Sequence, residues 1–401
     1  MGEEQNFYLP EISKQREHLL VIGVGGGGGN ALNHIIESGI TDVEFVAANT
    51  DFKALSLNKA PHKIILGEKL TKGLGAGADP VVGMDAAKES IDHIRECLTG
   101  SDMVFVTAGM GGGTGTGAAP IIAEVARELG ILIVGVVTMP FGFEMGKRAF
   151  VAREGIAKLK EKVDALLIVE NDRLLALADE KLTMVNAYKM ANEVLRQAVQ
   201  GVTDLILKPG HVNVDFADVR AVMRNAGSAI MGIGIGEGEN RTDMAAKAAI
   251  KSPLISQPPT GAKGILINFE GGSDLGLIEM SKAAEFVKAA AGAEPDALMV
   301  WGHTINDDMG GAVRVTVIAT GFPEKTAESG GQRPQPNRAP DDRDRDREEA
   351  APPSPRKSVW PRNFTLEEAD LRPADEDMFM GTTKTAYDSP TYLRKKPSGR
   401  K

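Results

Sequence analysis

Two glycine runs constrain this chain more than any other feature. The first, Gly23-Val-Gly25-Gly26-Gly27-Gly28-Gly29-Asn30, follows the apolar run Leu19 to Val24; the second, Gly109-Met-Gly111-Gly112-Gly113-Thr114-Gly115-Thr116-Gly117, follows Met103 to Ala108. Each joins a strand-like segment to the start of a helix, where glycine lets the backbone turn sharply and approach a ligand closely. Unpaired N–H groups at a helix N-terminus attract anions, phosphate above all. Gly23, Gly25 and Gly28 satisfy the G-x-G-x-x-G spacing, so this loop alone fits a nicotinamide-dependent dehydrogenase. The acidic residue expected at the end of the second strand is ambiguous, because Asp42 and Glu44 open that strand while Asn49 and Asp51 follow it. The second loop decides against a dinucleotide site, which needs only one. Two such loops at the carboxyl ends of parallel strands, with the Thr114 and Thr116 hydroxyls, suit a nucleoside di- or triphosphate. The P-loop sequence with its lysine is absent, so backbone dipoles together with Mg2+ take that task.

Around these loops, short Val-, Ile- and Leu-rich runs alternate with helix-like segments from His18 to about Phe322, the pattern of an α/β fold with a parallel sheet. Expected strands are Leu19 to Val24, Val43 to Ala48, Met103 to Ala108, Ile131 to Thr138 and Ala165 to Val169, enough for a doubly wound sheet. Asp79 to Leu98 and Ala118 to Leu129 read as amphipathic helices, and Met184 to Ile206 as a helix long enough to cross a domain. Turn signals at Pro209 and Gly210 precede a second strand group, Ile230 to Gly236, Ile265 to Glu270, Leu298 to His303 and Val313 to Thr320, which reads as a second domain.

Composition sets outer limits. Glycine is 46 of 401 residues, well above ordinary usage, and a net charge of −9 argues against a specific nucleic-acid partner. A single cysteine, Cys97, and six scattered histidines offer neither disulfides nor the spacing of a zinc site. The first residues carry no signal-type apolar run and Ile131 to Pro140 is too short to span a bilayer, so the expectation is a cytoplasmic chain with no membrane span. From Pro323 the prolines multiply and the run Asp341 to Glu349 alternates charge, which predicts a disordered linker over 323–385. The end, 386–401, brings back aromatic residues beside a basic cluster, in the manner of a docking peptide.

GGGTGTG, together with GVGGGGGN, VAANTD and NVDFADV in that family's order, resembles the tubulin superfamily and, within it, the FtsZ family of bacterial cell-division proteins. The resemblance covers about His18 to Phe322, with a short match at the C-terminus. It implies a tubulin-like two-domain α/β fold: a flexible extension over 1–17, a Rossmann-like GTP-binding domain over 18–185, a central helix over 186–210 and an α+β domain over 211–322. It also implies a GTPase that binds GTP or GDP with Mg2+ held mainly by the phosphates, and that polymerises head-to-tail into filaments of a cytokinetic ring at midcell. By the same resemblance Gly25, Gly26, Gly27 and Asn30 lie along the nucleotide. Asn49 and the loop with Ala76, Gly77 and Ala78 approach the phosphates, and Gly109, Gly112, Gly113, Thr114 and Gly115 cup them. Glu144 and Arg148 match ribose and phosphate contacts, although an acid and a base four apart read by themselves as a solvated helix face. Asn171 and Asn192 match positions bonding the guanine edge, with Tyr188 stacking on the base.

The chain departs from the family's common pattern at Tyr188, Asn192 and Met139, where Phe, Asp and a basic residue are usual. Tyr keeps a stacking face, whereas Asn192 offers a carbonyl oxygen to guanine N1–H without the charge that would strengthen the bond. Asp215 and Asp218, with Asn213, form the expected catalytic loop. Their other reading is plain: Asp215 caps the following helix and Asp218 favours its dipole. The resemblance implies instead that this loop enters the nucleotide site of the next subunit and polarises the attacking water. Tyr387 to Lys396 resembles the family's tail peptide, implying membrane-adaptor division proteins as partners. Two other readings, an oxidoreductase and a filament that does not hydrolyse its nucleotide, are disfavoured by the second glycine loop and by the paired aspartates respectively.

Overall fold

The computed structural model describes residues 17–175, 182–208, 212, 214–252, 254–255, 260–293 and 296–322. Residues 1–16, Pro209, Gly210, Asn213 and everything after Phe322, including Tyr387 to Lys396, lie outside the described residues.

Ten strands form one sheet among these residues: β1 Leu19–Val24, β2 Glu44–Asn49, β3 His62–Ile65, β4 Met103–Gly109, β5 Leu132–Met139, β6 Ala165–Glu170, β7 Gly227–Gly236, β8 Gly264–Gly271, β9 Leu298–Ile305 and β10 Val313–Thr320. Their order is β3-β2-β1-β4-β5-β6-β7-β10-β8-β9. From β3 to β7 every neighbour is parallel; β10 runs antiparallel to β7 and β8, and β8 pairs β9 in parallel. Every residue of β1 is buried, which is why it reads as an unbroken apolar run. Alternation sends Leu19 and Val21 to one face, against Ala31, Leu32 and Ile35, and Leu20 and Ile22 to the other, among Ala118, Ile122 and Val125. Burying each such aliphatic side chain contributes about 1.5–3 kcal/mol against chain entropy.

The nine expected strands are present, with ends shifted by a few residues. β3 was not anticipated; four residues at a sheet edge, with exposed His62 and Lys63, leave little periodicity to read. The expected helix Asp79 to Leu98 is two helices, Pro80–Glu89 and Ile91–Leu98, broken at Ser90. Ser90 Oγ accepts from the Gly67 N–H at 3.0 Å and donates to the Ile65 carbonyl at 3.2 Å, anchoring the break to the end of β3. The long helix Met184–Leu207 is capped by Thr183, whose hydroxyl accepts from the Asn186 N–H at 3.3 Å. Its Val194, Leu195, Ala198 and Val202 pack in the core that also holds Leu19 and Val21. β6 joins β7 through Ala165–Leu167 and Gly227–Ala229, so the two expected strand groups share one sheet.

Candidate functional site

After β1 the chain moves outward to β2 and β3 and then crosses back to β4 on the other side, so β1 and β4 flank a topological switch point. At their carboxyl ends two helices begin, Gly25–Glu37 and Thr114–Glu128. Neither N-terminus has a side-chain cap, and neither first turn holds an acidic residue. The first N–H groups of both helices therefore lack intrahelical partners, and both positive dipole ends stand beside the same crevice, which is where ligands bind in open α/β sheets.

Glycine is required here for two separable reasons. Gly25 has φ +71° and Gly111 φ +95°, and a Cβ on them would stand 2.8 Å from the Gly115 nitrogen and 2.7 Å from the Arg148 carbonyl oxygen. A Cβ on Gly26 or Gly112 would meet no atom within 4 Å. The first pair serves the protein's own packing; the second faces open space.

A cleft of about 360 Å3 gathers Gly26, Gly27, Asn30, Gly109, Gly112, Gly113, Thr114, Gly115, Glu144, Arg148, Asn171, Tyr188 and Asn192. Residues from five separate stretches of sequence thus meet at one place. Gly25 and Asn49 border the adjoining hollow with Gly26 and Asn30. Ala76, Gly77 and Ala78 line neither space; Ala76 packs on Gly113, whose Cβ would lie 2.9 Å from the Ala76 methyl. Met110, Thr138, Pro140 and Ala191 also line the cleft. Met110 belongs to the second glycine run, but no sequence motif marks the other three, which the end of β5 and the turn of the long helix bring there.

Glu144, its side chain 9 % exposed, accepts from the Phe141 N–H at 3.0 Å and pairs with Arg148. The pair is therefore half sheltered, unlike the fully solvated face that its spacing alone suggested. Tyr188 meets Phe141 edge-on with ring centroids 5.3 Å apart. Burial first, then the Glu144 charge and hydrogen bond, push its phenol above the ordinary value, so it stays protonated and can donate. Asn171 is buried and its Oδ1 has no hydrogen-bond partner, an acceptor left for a ligand at the cleft wall. A flat base edged by amide groups and a chain of phosphates against free N–H groups fits these walls. Among the described residues no three His, Cys, Asp or Glu side chains gather to hold a metal.

Asp215 and Asp218 are elsewhere. They border a hollow with Ser38 to Asp42, Asp204 and Lys208, beside the far end of helix Gly25–Glu37. At 1.5 Å per residue that helix holds the two regions roughly 20 Å apart. Asp215 does cap the helix Phe216–Met223, its Oδ1 accepting from the Asp218 N–H at 2.8 Å.

An α/β protein with two uncapped glycine loops at its switch point is a nucleotide-phosphate binder by construction. A profile of the Tubulin/FtsZ family, GTPase domain, matches residues 18–179, and one of the FtsZ family, C-terminal domain, matches 227–323. An FtsZ dimer from M. jannaschii is 42 % identical and superposes with a TM-score of 0.73, covering 77 % of this chain and 89 % of that one. CetZ2 from Haloferax volcanii, solved as a GTPγS-bound protofilament, is 20 % identical over 77 % of this chain and 94 % of its own, with a TM-score of 0.67, a likeness of fold. The chain belongs to the Tubulin/FtsZ family and is a GTPase of that self-associating class. Among the described residues no helix is long and apolar enough to cross a membrane.

Proposed function

We propose that the cleft between the glycine loops holds GTP, with its phosphates on the N–H groups of Gly26, Gly27 and Gly112 to Gly115. Its guanine then lies against Tyr188, Asn171 and Asn192, its ribose lies near Glu144 and Arg148, and Mg2+ is carried by the phosphates. Hydrolysis is completed by Asp215 and Asp218, with Asn213, of the next subunit in a head-to-tail filament. The observation that carries this reading is the separation: the carboxylates sit at the opposite end of helix Gly25–Glu37 from the glycine loops, so a single subunit holds half a site. Unlike surfaces meeting in this way give open filaments when the rotation does not close a ring. Phosphoryl transfer needs in-line positioning and charge stabilisation, which a carboxylate from a neighbour supplies to the attacking water.

On the same reading the filaments form the cytokinetic ring at midcell in the cytoplasm, tethered to membrane adaptors through Tyr387 to Lys396. The test is phosphate release from GTP and from ATP with Mg2+ across protein concentration, with light scattering recorded alongside. Turnover per molecule rises from near zero above a threshold, for GTP only and together with scattering. Constant turnover per molecule at all concentrations would mean that each subunit holds a complete site.

A further inference from the structure

Thr50, the residue after β2, is fully buried where the end of β2, the loop Thr71 to Gly75 and the helix beginning at Thr114 meet. Its carbonyl oxygen accepts from the Gly75 N–H at 3.1 Å and, at 3.3 Å, shares the Thr71 hydroxyl proton with the Gly67 carbonyl, which lies closer at 2.9 Å. Its hydroxyl lies 2.6 Å from the hydroxyl of Thr114, the first residue of the helix that follows the second glycine loop. The two backbone-directed bonds hold Thr50 in place, and its side chain has one neighbour to bond.

The count of protons decides the direction of that bond. Thr50 Oγ1 has Thr114 as its only hydrogen-bond partner among the described residues, and the residue is 0 % exposed to solvent. A buried O–H that does not donate loses its full hydration without return, so Thr50 must be the donor. Thr114 is only half-buried and lines the cleft, and its own O–H is then free. We propose that Thr50 is a positioning residue: by donating to Thr114 Oγ1 it turns the Thr114 O–H into the cleft, where it donates to a phosphate oxygen of the bound nucleotide. The inference rests on the reading of the cleft as a GTP site and adds to it a residue that no glycine motif marks.

A hydroxyl aimed at an anion makes a charge-assisted bond, stronger than one between neutral groups. Thr50→Val keeps the shape and both carbonyl bonds but removes the donor, so Thr114 is free to rotate. The test is calorimetric binding of GTP, GDP and guanosine to the nucleotide-stripped full chain, for wild type, Thr50→Val, Thr50→Ser, Thr114→Val and the Thr50→Val/Thr114→Val double variant. Thr50→Val weakens GTP and GDP about tenfold, leaves guanosine unchanged, and Thr50→Ser restores wild-type binding. The double variant binds no more weakly than Thr114→Val alone, because both substitutions remove the same bond. Unchanged GTP binding by Thr50→Val, an equal loss for guanosine, or losses that add in the double variant would overturn the inference while leaving the GTP site standing. Wild-type chain that binds guanosine as tightly as GTP would overturn the site reading and the inference with it.

Discussion

At the scale of single residues, glycine divides into positions the fold needs and positions open to the cleft. A Cβ on Gly28 would stand 2.4 Å from the Thr107 carbonyl oxygen, whereas one on Gly112 would touch nothing within 4 Å. Gly28→Ala is therefore expected to destabilise the chain by about 1–3 kcal/mol, as overpacking does, visible as a lower Tm without nucleotide. Gly112→Ala leaves that Tm unchanged or slightly higher, while GTP affinity falls at least about tenfold in the same calorimeter; an unchanged affinity would remove Gly112 from the phosphate site. Asp215 divides in the same way between the cap it is and the catalyst proposed for it. Asparagine caps a helix as well as aspartate does, so Asp215→Asn keeps Tm while Asp215→Ala loses about 1 kcal/mol, and both abolish GTP turnover with nucleotide binding intact. Turnover surviving in Asp215→Asn would make the residue a cap and nothing more. Sequence alone could not separate these roles, because spacing records that a glycine or an aspartate is present and never what faces it.

At the scale of elements, the long helix carries more than its apolar stripe. Glu193 bonds His34 of the helix Gly25–Glu37 at 2.9 Å and Arg196 one turn on at 2.6 Å. Burial would raise its carboxyl, but bonds from Arg196 and His34 outweigh that and hold it at about 2, below its ordinary 4.5. The folded value is the depressed one, so the ion pair's contribution is present above pH 4.5 and disappears as pH falls toward 2. Urea midpoints measured between those limits should fall more steeply for wild type than for Glu193→Gln; parallel curves would show the pair to be energetically silent. The helix itself was legible, because its apolar spacing is local; the Thr183 cap is equally local but was not read. Its partners were not: the His34 and Glu193 pairing spans 159 residues of chain. The break at Ser90 was hidden for the same reason, since its hydroxyl answers to Gly67 and Ile65 rather than to its own helix.

For the whole molecule, the last strand in chain order, β10, ends at Thr320 inside the sheet, and its Val313, Val315 and Val317 complete the core beside β8. A chain ending at residue 322 is accordingly expected to keep wild-type Tm and GTP turnover; a drop in either would assign the later residues a part in folding or catalysis. Much of this architecture is written locally. The glycine loops, the buried runs and the cap signals each depend on neighbours a few residues away, and strand alternation or helical period follows from backbone geometry alone. That is why the α/β class, nine of the strands and the two glycine loops that come to line one cleft could be read before any coordinates. Tertiary structure decided the rest. It joined two strand groups through β6 and β7, brought Asn171 and Tyr188 to the glycine loops, and set Thr50 against Thr114. It also placed Asp215 and Asp218 at the far end of a helix from the glycine-lined cleft. Such relations are fixed by which surfaces pack together across long separations, and no local pattern in a chain encodes a distance between residues that only packing brings near or holds apart.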